Sequence, residues 1–314
     1  MRILVVGAGA IGGYFGGRLL AAGRDVTFLV RPARAAKLAA TGLVIRSPFG
    51  DVTSPAPATV TADALQRHYD LILLSCKAYD LEDAAASFAP AVGPETAILP
   101  LLNGMKHLDL LSERFGSDHV LGGLCAISTT LDSDGRILHL SDFNLLSFGE
   151  RDGAVSTRAE AIAAALSGAG FDTRLSKKIM QEMWDKWVLI ASTAGINCLM
   201  RADVGDIVEA GADDLTNALI EECCAIAAAQ GFAPSKTTVG RVRGMLTASG
   251  SRFAASMLRD IERGARIEAD HIIGALYARG GGTPKDYPLL RIAYAHLKAY
   301  ETRRAREHNG EKAA

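Results

Sequence analysis

A chain of 314 residues with 49% hydrophobic and 22% charged side chains has the make-up of a well-cored globular protein and not of a disordered one. Its formal net charge of −1 supplies no global field for nucleic acid or an anionic membrane, so any anion must be held at a local site. The five cysteines (Cys76, Cys125, Cys198, Cys223, Cys224) form no C-x-x-C pair and no His/Cys ligand spacing, which argues against a bound metal or a disulfide framework and for a reducing compartment.

The opening MRILVVG enters an apolar run at once and breaks at Gly7, too short to span a bilayer and without a cleavage region, so a cytoplasmic protein is expected. The first half alternates strand and helix patterns. RILVVG leads to an Ala/Gly-rich helix from about Ala10, and DVTFLV to a basic turn. DLILLSCK leads to a helix from about Asp80, and TAILPLLNG to another helix. Such alternation predicts a parallel sheet with helices on both faces. From about residue 120 to 149 strand-like runs separated by turn signals such as DSDG predict antiparallel strands added at an edge. A helix near 155–168 and a short strand at 172–175 complete this half. Beyond Ser176 the pattern is nearly all helical, with breakers at Gly231, Pro234, Gly250 and Gly280 to Gly282. The chain therefore divides into 1–176, an α/β domain, and 177–314, an all-α domain.

VVGAGAIGGYFGGRL places Gly7, Gly9 and Gly12 in G-x-G-x-x-G spacing, directly after a strand and opening a helix. The first glycine permits the tight turn, the second lets the backbone approach a pyrophosphate, and the third allows close helix–strand packing. Residues Gly7, Ala8, Gly9, Ala10, Ile11 and Gly12 are thus the expected dinucleotide loop. At the end of the second strand an NAD site carries an acid for the ribose 2′-hydroxyl. Here FLVRPARAAK puts Arg31 in that place, followed by Arg34 and Lys37. A guanidinium suits a 2′-phosphate, which favours NADPH over NADH. Lys77 and Asn103 follow the strands DLILLSC and TAILPLL, at the edge where open sheets present ligands. Position alone leaves each open between a strand-end polar residue and a site residue.

Lys186, in EMWDKWVLIA, shares a helix face with Met183, Leu189 and Ile190 and is flanked by Trp184, Asp185 and Trp187. On spacing alone it is a lysine whose stem packs while its head reaches water.

With the fingerprint at Gly7, then Arg31, SCKAYD, LNGM, MWDKW and FAASMLRDIERGARIEAD in that order, the chain resembles the ketopantoate reductase (2-dehydropantoate 2-reductase) family over nearly its whole length. The resemblance implies an N-terminal Rossmann-type domain holding NADPH, and an all-α C-terminal domain of the 6-phosphogluconate dehydrogenase C-terminal-like class that closes over it, with a keto acid in the cleft. It implies NADPH-dependent reduction of ketopantoate to pantoate, a step of pantothenate biosynthesis, by an oxidoreductase acting on CH–OH groups. Lys186 matches the catalytic lysine, a proton donor to the carbonyl oxygen, and Glu268 the glutamate that hydrogen-bonds the substrate hydroxyl or carbonyl. Lys77 and Asn103 match residues beside nicotinamide and substrate, and Ser256 a serine that contacts substrate.

Three family asparagines fall on Ile190, Ala194 and near Phe253, and Asn197 stands further along the same helix as a candidate replacement. An apolar pocket selects differently from one built to hydrogen-bond a hydroxyl, which keeps a more apolar 2-keto acid open as substrate. A non-catalytic NADPH-binding sensor is a third reading. The expected partner is a small 2-keto acid, with no nucleic acid or membrane, and homodimerisation through the helical domain stays open. The cysteines and histidines, His107, His139 and His271 among them, read as packing residues.

Overall fold

The computed structural model describes residues 1–281, 283 and 285–311, so Gly282 and the last residues of the 177–314 span lie outside the described residues. Two compact units are resolved. One comprises Met1–Leu102 and His107–Met180; the other takes the short segment Asn103–Lys106 together with the chain from Gln181 onward.

In the first unit β1 (Arg2–Val6), α1 (Ala10–Ala21), β2 (Asp25–Leu29), α2 (Pro32–Thr41), β3 (Leu43–Arg46), β4 (Val52–Ser54) and β5 (Thr59–Val60) precede β6 (Leu71–Leu74) and α3 (Leu81–Phe88). They are followed by β7 (Ala97–Pro100), α4 (Lys106–Phe115), β8 (Gly122–Ala126), β9 (Thr129–Leu131), β10 (Ile137–His139), β11 (Leu145–Gly149), α5 (Thr157–Leu166) and β12 (Asp172–Leu175). The main sheet is parallel in the order β5-β2-β1-β6-β7, with Val5 paired to Phe28 on one side and Leu73 on the other. Its central strands are buried on both faces, which is why RILVV and LILL read as continuous apolar runs.

The expected edge strands are partly where the pattern puts them. A single parallel bridge, Ile98 to Val120, brings the chain beside β7; β8 then pairs antiparallel with β11, and β11 parallel with β12. β9 and β10 instead join β3 and β4 in a separate sheet of order β4-β3-β10-β9. The segment after β2 is a ten-residue helix where a basic turn was expected: Pro32 sits in its first turn, where a missing N–H costs nothing, and alanines continue it.

His139 is buried at the end of β10. Its Nδ1 meets the Ser47 hydroxyl at 2.8 Å, and its Nε2 meets Ser141 Oγ and the Phe143 carbonyl, each at 3.0 Å. Burial pushes its pKa below the ordinary imidazole value, with the Phe143 carbonyl opposing and Arg18 reinforcing the shift. Burial lowers His271 in the same way. On acidification the unfolded chain therefore takes up these protons first, so their contribution to stability is complete above the ordinary imidazole pKa and is lost as pH falls toward the depressed folded values. The thermal midpoint should drop between about pH 7.5 and 5.5, and His139→Gln should flatten that slope. A midpoint constant across the window would refute the assignment.

The second unit contains most of α6 (Ile179–Met200), then α7 (Val204–Glu209), α8 (Asp213–Ala229), α9 (Lys236–Leu246) and α10 (Ser256–Glu262). A π-helical turn (Asp270–Gly274), α11 (Ala275–Arg279) and α12 (Pro288–Glu311) complete it. Asp203 and Ser235 cap α7 and α9, and the Glu222 carboxylate accepts the Leu289 and Leu290 N–H groups at 3.0 and 2.8 Å, closing the start of α12 onto α8. Cys198 and Cys223 are buried, their thiols pushed up to about 12 by desolvation, so both behave as small apolar residues. Among the described residues no helix is long and apolar enough to cross a membrane, and no group of three or more His, Cys, Asp or Glu is arranged to hold a metal.

Candidate active site

β1 runs into Gly7, whose φ of 93° lies in the left-handed region and whose N–H donates to the Leu29 carbonyl at 3.0 Å. A Cβ on Gly12 would stand 2.2 Å from the Gly7 carbonyl oxygen and 2.0 Å from Ser75 Oγ, so α1 closes on the turn with room for hydrogen only. A Cβ on Gly9 would meet nothing within 4 Å; that face of the loop is open. The start of α1 has neither a side-chain cap nor an acid in its first turn, which suits a phosphate at the positive helix end. Ser75, at the end of β6, donates to the Val6 carbonyl at 2.9 Å and so ties the ends of β6 and β1. These are the two strands between which the sheet order reverses direction, the place where open sheets bind ligands. The residues present fit a dinucleotide.

Arg31 stands at the N-cap of α2 with its guanidinium 3.2 Å from Asp80 and 75% exposed. Asp80 comes from the turn after β6. An acid is thus absent from the end of β2, yet one reaches Arg31 from the far side of β1. Arg34, whose pKa is lowered by burial, donates through Nε and Nη2 to the Ala8 carbonyl at 3.1 and 2.9 Å and braces the glycine loop. Lys77 is exposed where β6 ends. Ser75 and Arg34 are parts of this edge to which motif spacing gave no role. Their signal was position alone: Ser75 opens SCK, and Arg34 stands one helical turn past Arg31.

In the second unit Lys186 is half-buried on α6, one turn before the half-buried Ile190. Its neighbour Asp185 is engaged elsewhere, with Gln181 Nε2 at 2.9 Å and Thr238 Oγ1 at 3.3 Å, because adjacent helix positions diverge by about 100°. Trp187 is buried, and its Nε1–H donates to the Ile272 carbonyl at 2.9 Å. Asn103 is half-buried in the turn it shares with Gly104, whose φ is 76°. A Cβ on Gly104 would lie 2.4 Å from the His271 carbonyl oxygen and 3.8 Å from Trp187 Nε1. Glu268 is 9% exposed, one turn before Ile272, and its carbonyl accepts the Ile272 N–H at 3.1 Å. Its carboxylate raises the pKa of His271, opposing burial and Lys106, so both charges lie within electrostatic reach of that imidazole. The Asn103 turn, the Lys186 helix and the Glu268 segment therefore meet around one indole.

Ser256 is exposed at the head of α10, and the loop before it is held from the other end of α6, about 15 Å along the helix from Trp187. There the Gly205 N–H donates to the Ser251 carbonyl at 2.7 Å, and the Val204 N–H to the Phe253 carbonyl at 3.0 Å. Asn197 accepts the Ala255 N–H at 3.0 Å and donates to the Ala202 carbonyl at 2.9 Å. Both halves of this fully buried amide are spent on backbone, so Asn197 does not stand in for the missing asparagines. Of the apolar departures, Ala194 is 2% exposed and Phe253 39% exposed.

Residues 3–153 match the family Ketopantoate reductase PanE/ApbA, and residues 178–301 match Ketopantoate reductase PanE/ApbA C terminal. The chain is 37% identical over 302 residues to the "Uncharacterized oxidoreductase YkpB" of Bacillus subtilis, covering 96% of this chain and 99% of that one. It is 27% identical to a 2-dehydropantoate 2-reductase of Mesorhizobium japonicum, over 95% of this chain and 97% of the relative. Among solved structures, the 2-dehydropantoate 2-reductase from Methylococcus capsulatus superposes with a TM-score of 0.86 at 30% identity, over 97% and 98% of the two chains. Matched in both halves and along nearly the full length of its relatives, the chain belongs to the ketopantoate reductase family, oxidoreductases that bind a nicotinamide dinucleotide and act on CH–OH groups.

Proposed function

We propose that this protein reduces a 2-keto acid with NADPH, ketopantoate being the substrate its family names. The observation that carries the reading is the meeting of the Asn103 turn, the Lys186 helix and the Glu268 segment around Trp187. When bound, the cofactor supplies the hydride. Gly7 to Gly12 hold its pyrophosphate through backbone N–H groups at the start of α1, with Arg34 bracing the loop. Lys186 Nζ gives a proton to the carbonyl oxygen as negative charge builds there. Glu268 accepts a hydrogen bond from the substrate or product hydroxyl, and Asn103, Lys77 and Ser256 orient the acid. A second reading, a more apolar 2-keto acid, is favoured by the half-buried Ile190 and the exposed Phe253 ring, neither of which can hydrogen-bond a substrate hydroxyl.

Arg31 is the residue on which the choice of cofactor rests. A 2′-phosphate carries more charge than the Asp80 carboxylate that Arg31 now meets at its exposed head, and it displaces an ion pair worth little. The test is the consumption of NADPH and of NADH by purified protein with ketopantoate and a panel of apolar 2-keto acids. NADPH should be preferred, and Arg31→Ala should weaken NADPH binding roughly tenfold or more while leaving NADH unchanged, the scale of a lost charge-assisted contact. Equal loss with both cofactors would make Arg31 structural. NADPH binding with no turnover of any keto acid would turn the reading to a sensor.

A further inference from the structure

The Trp187 indole is 1% exposed, rests on Trp184 with centroids 5.0 Å apart, and has the Arg279 guanidinium 5.7 Å over its ring. Burial and ring packing explain an aromatic residue here, but not a tryptophan. What distinguishes tryptophan is the single N–H, and that N–H is aimed at the Ile272 carbonyl inside the π-helical turn. A π turn shifts its carbonyls from the i+4 to the i+5 N–H, and a carbonyl oxygen has a second lone pair that the indole N–H can fill. The same nitrogen lies 3.8 Å from the Cβ position of Gly104, and the neighbouring His271 carbonyl is 2.4 Å from that position. Indole edge, two π-turn carbonyls and the Gly104 backbone thus form one junction. A candidate site residue adjoins each of its three arms: Lys186 precedes Trp187, Asn103 precedes Gly104, and Glu268 is hydrogen-bonded through its carbonyl to the Ile272 N–H.

We infer that Trp187 is a positioning residue for the reduction. Its N–H sets the π turn against α6 and so fixes Glu268 relative to Lys186, while the Gly104 turn seats Asn103 on the adjoining carbonyl. The inference rests on the roles proposed above for Lys186 and Glu268.

Trp187→Phe removes the donor and keeps a ring. It should lower kcat roughly ten- to a hundredfold, the scale of a small misplacement of catalytic groups, with NADPH affinity unchanged and the fold retained by circular dichroism. A structural role would move none of the following selectively, so the decisive readout is a cycle with Lys186→Ala. In that background Trp187→Phe should add no further loss of kcat, because no proton donor is left to position. If Trp187→Phe leaves kcat intact, or multiplies the loss in Lys186→Ala by the same factor as in the parent, the inference is overturned while the lysine assignment stands. If Lys186→Ala alone is fully active, the lysine assignment fails and the inference falls with it. Should Trp187→Phe not fold, Gly104→Ala displaces the same junction from its other side and goes through the same cycle with the same expected outcomes.

Discussion

Lys186→Ala should depress turnover by roughly two to four powers of ten and leave NADPH affinity nearly unchanged, the usual scale for a positioned acid. The separation follows from where the groups stand. Lys186 is carried by α6 in the helical unit, whereas the glycine loop, Arg31 and Arg34 are carried by the sheet of the other. Losing the ammonium removes an interaction that strengthens as charge builds on the carbonyl oxygen, so kcat falls more than KM rises. Lys186→Arg sharpens the point, since a guanidinium keeps the charge but does not give up its proton. An arginine variant with near-parental turnover would show that charge alone suffices and that the proton comes from elsewhere. Parallel loss of folding and cofactor binding in the alanine variant would mark a structural lysine.

Gly12→Ala should abolish measurable dinucleotide binding and destabilise the first unit. The added Cβ meets Ser75 Oγ and the Gly7 carbonyl oxygen at 2.0 and 2.2 Å. Ser75 can rotate, but the Gly7 carbonyl belongs to a turn pinned by its own N–H to Leu29, so α1 must lift from β1. Overpacking of this kind costs about 1–3 kcal/mol, and the lifted helix start no longer faces the pyrophosphate. Gly9→Ala separates the two effects. Its Cβ meets no protein atom, so the fold should be retained while affinity still falls, because the methyl occupies the open face of the loop. The comparison is the rise in melting temperature on adding NADPH: large for the parent, absent for Gly12→Ala, and reduced for Gly9→Ala at an unchanged unliganded midpoint. A Gly9→Ala protein that binds NADPH as the parent does would refute the placement of the cofactor on this loop.

The parts of this molecule that sequence made legible are those written in short-range pattern. Buried parallel strands announce themselves as RILVV and LILL, and the glycine spacing carries its own context of strand before and helix after. β3 to β5 escaped notice because they are two to four residues long and partly polar, and β3 finds its partner β10 some ninety positions away. The helix after Arg31 was masked by its charges, although Pro32 followed by alanines was a readable start. At the candidate site, spacing put Lys186 on a helix and Asn103 in a turn. It carried no trace of the carbonyls of His271 and Ile272, since a backbone oxygen has no letter of its own. Asn197 shows the converse: a polar letter at a promising position, committed wholly to backbone.

The tetrapeptide Asn103–Lys106 belongs spatially to a unit whose remainder begins at Gln181, about seventy-five residues later. That discontinuity bears on how the protein can be taken apart. A gene cut after α5 and β12 yields a helical fragment with the Trp187 indole edge and the π turn intact in sequence but without the turn that covers them. Exchange of the C-terminal half between homologues likewise separates Gly104 from the His271 carbonyl it was fitted to. Chimeras should therefore recover function only when this four-residue segment travels with the helical half, which makes it the smallest transplant on which modular redesign of the protein depends.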